Sequence, residues 1–154
     1  MENRAALPPI EKGILTRKLR QALAAVLQHQ PVQAAYLYGS MITGRVTPFS
    51  DVDIALVVDP DLTPLKRLKL MLRLQVELAD LCDIHNADVR VINDAPLVFR
   101  GRVVCDGILL YARDERARIE FETATRAEYF DYLPIHQRLQ EAFFAGIRER
   151  GLHG

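Results

Sequence analysis

The sequence predicts an α/β (α+β) domain with a small mixed central sheet of three to four strands flanked by helices, and with a C-terminal helical segment. Short apolar segments with a two-residue period alternate with longer segments in which leucine recurs every three or four residues. No apolar run approaches ~20 residues, so we expect no transmembrane helix. The 154 residues fit a single domain, 1–154, with a core over about 11–112 and a helical extension over about 114–150.

The first half of the chain predicts a helix followed by two strands. Residues 11–29 carry apolar side chains at helical spacing, and Pro31 ends that helix. Residues 33–38 predict a short strand, and a turn-rich passage follows it. Residues 51–58 alternate most clearly, with one face formed by Val52, Ile54, Leu56 and Val58 and the other by Asp51, Asp53, Ala55 and Val57.

The second half predicts three helices and two strands. Residues 64–82 predict a buried helix with Pro64 in its first turn, and residues 87–92 predict a third strand. The remaining elements are a helix over 96–105 capped by Asp94, a short strand over 108–112, and a helical segment from Asp114 to about Arg150 that Pro134 should kink or split.

Composition limits the classes of function. The 20 basic and 20 acidic residues balance, which gives no case for a nucleic-acid-binding protein. The first residues lack a charged-then-apolar export signal, so we expect a cytoplasmic protein with no membrane association. Two cysteines, Cys82 and Cys105, are interpreted as buried thiols rather than as a disulfide.

Two carboxylates mark the candidate site. Gly39-Ser40 is followed by ten residues and then by Asp51-Val52-Asp53. Carboxylates at positions i and i+2 of a strand project from one face, only ~7 Å apart along the chain. A divalent cation relieves their repulsion, and Mg²⁺ shared with substrate phosphates prefers such oxygen ligands. Asp51 and Asp53 are therefore predicted to bind metal.

The residues around the pair suit a nucleotide. Gly39 lets the backbone approach a phosphate closely. Ser40, expected to open the next short helix, offers a hydroxyl and a backbone N–H to phosphate oxygens, or a plain helix cap. Ser50 joins these candidates for cofactor binding, mainly as a turn residue that helps to place Asp51.

A transfer reaction that uses two metal ions usually needs a third carboxylate. Asp88, at the head of the third strand, is the predicted residue, because it belongs to the same sheet as the pair. Asp83 and Asp94 compete with it, but they fall at a helix end and at an expected helix cap. Arg90 shares the face of Asp88 and could orient a carboxylate or a phosphate.

The segment YGSMITGRVTPFSDVDIALVV resembles the signature of the DNA polymerase-β-like nucleotidyltransferase superfamily, a Gly-Ser followed by Asp-x-Asp. The ten-residue gap and the small size resemble its minimal (MNT) domain. The resemblance implies the polymerase-β-like nucleotidyltransferase fold, and Asp88 matches the third acidic position of the family. One feature departs from it: many relatives have Ala-Arg-Gly, whereas here Ile42-Thr43-Gly44 precedes Arg45, which puts a phosphate role of Arg45 in doubt.

The resemblance extends over almost the whole chain. NADVRVINDAPLVFRGRVVCDGILLYARDE and the later FETATRAEYFDYLP are similar to MntA-type antitoxins, which pair with a HEPN-domain ribonuclease toxin. The resemblance implies transfer of AMP from ATP to a tyrosine of that toxin, which silences it. The expected cofactors are ATP and two Mg²⁺ ions, one bridging the carboxylates and the phosphates and the other held by Asp51, Asp53 and Asp88 to activate the acceptor hydroxyl.

Two other functions remain open at this point. A small-molecule nucleotidyltransferase, for example one that modifies an aminoglycoside, would normally need a larger acceptor domain than the helices after residue 113 provide. A non-catalytic antitoxin could neutralise a toxin by occlusion, although it has no use for paired carboxylates. The aromatic residues Tyr129, Phe130 and Tyr132 are expected in the core, with a partner-binding surface as the alternative.

Overall fold

The computed structural model describes residues 9–39 and 52–151, with side chains described from residue 12 onward. Four helices and four strands lie in these ranges. In chain order they are α1 (Pro9–Val26), β1 (Val32–Tyr38), β2 (Val52–Val58), α2 (Pro64–Cys82), β3 (Ala87–Val91), α3 (Leu97–Asp106), β4 (Ile108–Ala112) and α4 (Glu115–Glu149).

The four strands form one mixed sheet in the order β3-β2-β1-β4. Strand β1 runs antiparallel to β2 and to β4, whereas β2 and β3 are parallel. The end of β1 therefore lies at the same edge of the sheet as the beginnings of β2 and β3. The predicted fold class and the predicted order of elements are confirmed.

Helices α1 and α2 cover one face of the sheet. The predicted alternation along β2 explains this layer, because every second side chain of the strand points into it. Buried leucines of both helices complete the layer, whose main members are Leu19, Leu23, Leu27, Leu37, Ile54, Leu56, Leu70, Leu74 and Leu78.

Helix α3 and the first half of α4 cover the opposite face. A smaller apolar cluster lies there, formed by Ala34, Tyr36, Ala55, Val57, Ile92 and Val103. The hydroxyl of Tyr36 donates a 2.8 Å hydrogen bond to Glu122 of α4, which is only 8% exposed. Arg118 and Arg126 pair with the same carboxylate, so the buried charge is compensated.

The predicted cap of α3 is wrong. We expected Asp94 to cap this helix, but the N-cap residue is Pro96, and no side chain caps it. Asp94 instead accepts a 2.8 Å ion-pair hydrogen bond from Arg67 of α2. The carboxylate of Asp94 thus binds Arg67, which is distant in sequence, instead of the first turn of α3. By contrast, the predicted helix over 64–82 and the predicted strand over 108–112 match the structure at both ends.

The predicted split at Pro134 is also wrong, because α4 is one helix of 35 residues that continues through this proline. A proline removes one hydrogen bond and crowds the carbonyl four residues earlier, but the helical turns on both sides keep their hydrogen bonds. Phe130 is 56% exposed and so lies outside the core, contrary to expectation.

No helix in the described parts of the chain is long and apolar enough to span a bilayer.

The two thiols differ from the prediction in one respect. Both cysteines are free, as expected, but only Cys82 is partly buried, and Cys105 on α3 is exposed. Its position near the end of the helix, beyond the buried Val103 and Val104, explains the exposure.

Candidate active site

Gly39 and Asp53 meet at the end of β1. Gly39 has φ +81°, in the left-handed region that favours glycine. A Cβ atom at this position would overlap the carboxylate of Asp53. Strand pairing explains the approach, because Tyr38, the residue before the glycine, is the register partner of Asp53 in β2. The glycine thus permits both the turn and close packing against the carboxylate.

Asp53 and Asp88 lie side by side on neighbouring strands. The parallel register of β2 and β3 pairs their Cα atoms directly, and each is the second residue of its strand. A backbone hydrogen bond of 3.0 Å from Val52 N–H to the carbonyl of Asn86 aligns the two strand starts. Adjacent strands lie about 4.8 Å apart, so the two carboxylates occupy one small region of the sheet.

The two carboxylates share the sheet face that carries α3 and α4. Asp53 is two residues before Ala55, which belongs to the apolar cluster on that face. Both aspartates sit at the edge of the cluster and are partly exposed. They are therefore fixed by the sheet and still accessible to a ligand.

Arg90 and Tyr38 border the carboxylate pair. The Nε atom of Arg90 lies 3.1 Å from Oδ2 of Asp88. Burial is the main cause that raises the pKa of Tyr38 to about 12; the carboxylates of Asp53 and Asp88 act in the same direction, and Arg90 opposes them. The ring of Tyr38 packs edge to face against Phe99 of α3, with centroids 5.2 Å apart. The carboxylates of Asp53 and Asp88 thus make this end of the sheet negative, and Arg90 neutralises part of that charge.

Tyr38 is a neighbour of the site that our sequence reasoning missed. Its position directly before Gly39-Ser40, at the end of a strand, was the available signal. Phe99 gave no such signal, because only the packing of α3 on the sheet brings it there.

The predicted site residues divide into two groups. The structure brings Gly39, Asp53 and Asp88 together. Ser40, Arg45, Ser50 and Asp51 lie outside the described residues.

The two competing carboxylates make other contacts. Asp83 ends α2 in a left-handed conformation, with φ 56°, and its carboxylate lies 2.6 Å from Nε2 of His85. Asp94 pairs with Arg67. It follows β3 and therefore lies beyond the end of the strand opposite to Asp88.

The donors present fit a hard divalent cation. Two carboxylates on adjacent strands provide oxygen ligands at a rigid edge, which suits Mg²⁺ bound together with phosphate oxygens. Within residues 9–39 and 52–151, no group of three or more His, Cys, Asp or Glu side chains could hold a metal ion. The described chain thus contributes two carboxylates, and the predicted ligand Asp51 lies outside the described residues.

A shallow cavity of about 320 Å³ lies at the other end of β2 and β3. Its arginines support nearby loops: Arg67 donates to the carbonyl of Leu62, and Arg100 donates to the carbonyl of Ala95. Among the described candidate site residues, none of Gly39, Asp53 and Asp88 lines the cavity. Its walls include Arg67, Asn93, Arg100, Phe121, Thr125 and Glu128.

Comparison with known families agrees with this geometry. The family model described as polymerase beta, nucleotidyltransferase matches residues 21–116, which include Gly39, Asp53 and Asp88. No curated protein sequence matches the chain.

Several solved structures share the fold. A chain of a toxin–antitoxin complex with AMP-PNP is 23% identical at a TM-score of 0.62, and the match covers 81% of this chain and 98% of that chain. A chain of an MntA–HepT complex and a chain of the complex between tri-AMPylated Shewanella oneidensis HEPN toxin and an MNT antitoxin are each 21% identical at a TM-score of 0.57, covering 86% of this chain and 98% of the other. At these identities the likeness establishes the fold.

Proposed function

The chain belongs to the polymerase beta nucleotidyltransferase family, and from this premise we propose that it transfers AMP from ATP to a tyrosine hydroxyl of a partner protein. The observation that carries the proposal is the pairing of Asp53 with Asp88 beside Gly39. Two carboxylates on adjacent strands repel each other, and Arg90 neutralises only part of their charge, so the arrangement favours a bound cation. A nucleotidyltransferase uses that arrangement directly.

In this proposal one group of residues binds the metal and another binds the phosphates of the nucleotide. Asp53 and Asp88, together with Asp51, would hold Mg²⁺. Bound Mg²⁺ neutralises charge on the triphosphate and lowers the pKa of the attacking hydroxyl. Gly39 would let the backbone approach a phosphate closely, and Ser40 and Ser50 would donate hydrogen bonds to the phosphates.

The reaction forms one bond and breaks another. The acceptor oxygen attacks the α-phosphorus, its proton passes to a base or to solvent, and pyrophosphate leaves. The fixed carboxylates hold their position throughout, so little reorganisation accompanies the growth of charge.

We infer that the acceptor is a HEPN-domain toxin and that this chain is its antitoxin. The solved complexes that share the fold pair an MNT antitoxin with an AMPylated HEPN toxin, or a toxin and antitoxin with AMP-PNP, and these facts support the inference. The described residues after β4 form one helix, α4, rather than a second folded domain for a small acceptor. A macromolecular acceptor with its own fold suits such a chain better than an aminoglycoside.

The test uses ATP labelled at different phosphates. The full chain, its cognate HEPN protein and Mg²⁺ are incubated with ATP that carries the label on the α- or on the γ-phosphate. We expect label from the α-phosphate on a tyrosine of the partner, no label from the γ-phosphate, and release of pyrophosphate. Asp53→Asn should abolish the labelling while the chain stays folded and still binds the partner.

Other outcomes overturn the proposal. Transfer of the γ-label would identify a kinase. Inhibition of the toxin without any label would identify an antitoxin that acts by occlusion. If the Asp53→Asn variant labelled the partner at the normal rate, Asp53 would not belong to the active site.

A further inference from the structure

Helix α2 carries a second apolar face in addition to the one that packs on the sheet. The buried face contains Leu70, Leu74 and Leu78. A separate stripe consists of Leu65, Leu68, Leu72 and Val76, whose exposed fractions are 61%, 48%, 54% and 60%. At about 100° per residue these four side chains align in one row, on the far side of the helix from the sheet. A row of large exposed aliphatic side chains marks an interaction surface.

A charged flank runs along one side of this stripe. Its N-terminal half is basic, with Lys66, Lys69 and Arg73, and its C-terminal half is acidic, with Glu77 and Asp80. Arg73 and Glu77 form an ion pair of 3.2 Å within the helix. The charge of the flank therefore changes sign along the helix.

We propose that α2 pairs in antiparallel orientation with α2 of a second copy of this chain. With Leu72 of both copies at the centre, Leu68 of one copy meets Val76 of the other. The same alignment places Lys66 within two positions of Asp80, and Lys69 within two positions of Glu77. Arg73 lies near the centre of the pair and is neutralised by Glu77 of its own helix. The two ends of the flank are complementary in charge when the second copy is reversed, so the helix matches a second copy of itself.

The size of the surface predicts a weak, reversible dimer. Half-exposed Leu and Val side chains each lose on the order of 50–100 Å² of accessible surface on pairing. With the flanks, two copies bury roughly 1,000 Å², at the lower end of specific interfaces. A dissociation constant on the order of micromolar is expected.

The dimer leaves both candidate active sites open. Helix α2 lies on one face of the sheet, whereas Asp53 and Asp88 lie on the face that carries α3 and α4. In the antiparallel pair the two sites point away from each other, so each copy can engage a separate acceptor.

The experiment measures the mass of the full chain by sedimentation equilibrium over a series of micromolar concentrations. Leu72→Glu should weaken dimerisation at least tenfold, because it places a charge at the centre of the stripe. The control is Phe143→Glu on α4, whose side chain is 65% exposed and lies outside the proposed contact. It should leave the dimer unchanged, and thermal unfolding should show that both variants are folded.

Charge exchange tests the antiparallel register. The mainly acidic Lys66→Glu/Lys69→Glu variant and the all-basic Glu77→Lys/Asp80→Lys variant should each be mainly monomeric. An equimolar mixture of the two should dimerise, and a chain carrying all four changes should dimerise by itself. A monomeric wild type over the whole series, an unaffected Leu72→Glu variant, loss of the dimer in Phe143→Glu, or failure of both charge rescues would overturn the proposal.

Discussion

Gly39 packs directly against the carboxylate of Asp53, so that even a methyl group at position 39 would displace that carboxylate. The same glycine adopts φ +81°, which other residues adopt only with strain. One residue at the end of β1 thus controls the position of a predicted metal ligand on β2. This relationship leads to the first prediction.

Gly39→Ala should reduce the transfer rate on the order of 10- to 100-fold, because a displaced ligand misaligns the reacting groups. The left-handed backbone should also lower the free energy of unfolding by roughly 1–2 kcal/mol. Steady-state rates and chemical unfolding measure the two effects. The control is Gly13→Ala in α1, where an added Cβ meets no atom within 4 Å. It should stabilise the chain by roughly 0.5–1 kcal/mol and leave the rate unchanged. Equal rates for both variants would show that Gly39 does not position Asp53.

Asp88→Asn should lower the rate of transfer about 100-fold or more while the affinity for ATP changes little, because we propose that Asp88 holds the metal on the acceptor side. Rapid-quench kinetics and nucleotide binding separate the two quantities. Asp94→Asn serves as the matched control, since Asp94 pairs with Arg67 at the opposite end of β3. Inactivation by the control variant instead of by Asp88→Asn would reassign the third carboxylate.

Arg90→Gln should raise the affinity for Mn²⁺, used as a probe for Mg²⁺, by about fivefold, because the guanidinium 3.1 Å from Asp88 competes with a cation for that carboxylate. The ion pair is partly exposed to solvent, so its loss should change the free energy of unfolding by less than about 1 kcal/mol. Electron paramagnetic resonance titration measures the binding. Weaker Mn²⁺ binding in the variant would show that Arg90 orients Asp88 for the metal.

Tyr36 should make stability depend on pH in the alkaline range. Burial, and next the hydrogen bond to Glu122, raise the pKa of Tyr36 above the ordinary value of 10.0. Tyrosine ionises in the unfolded chain above this pH, whereas folded Tyr36 keeps its proton. The contribution of protonated Tyr36 to the free energy of unfolding is therefore complete below pH 10, and it is lost as the pH rises toward the folded-state pKa.

Tyr36→Phe isolates this effect, because the other tyrosines contribute equally to both chains. At pH 7 the variant should be less stable by about 1–3 kcal/mol, owing to the lost hydrogen bond to a charged group. Above pH 10 the difference should shrink by about 1.4 kcal/mol for each pH unit. Urea unfolding at pH 7 and pH 11 tests this, and a difference that is independent of pH would contradict it.

Local sequence patterns predicted the helices and strands well where side-chain periodicity and turn residues agreed. Pro64 and the leucines after it predicted α2 to the residue, and the alternation in β2 predicted which side chains face each layer. A tertiary contact explains why the predicted cap of α3 failed. Asp94 has the chemistry of a helix cap, but Arg67 reaches it from another helix.

Local sequence patterns predict only part of the candidate site. Gly39 and Asp53 follow from a spacing along the chain, whereas the choice of Asp88 over Asp83 depends on how β3 pairs with β2. The register that pairs Asp53 with Asp88 is a property of the folded sheet. The same holds for the packing of Phe99 on Tyr38, which no local pattern encodes.

The most direct test of the central claim is a titration of the toxin with this chain in the presence of ATP and Mg²⁺. A catalyst turns over, so a small fraction of one equivalent should silence all of the toxin, which should gain the mass of AMP and stay inactive after this chain is removed. A stoichiometric inhibitor must match its target, however tightly it binds. Inhibition that requires an equimolar amount of this chain, proceeds without ATP and leaves the toxin mass unchanged would contradict the account.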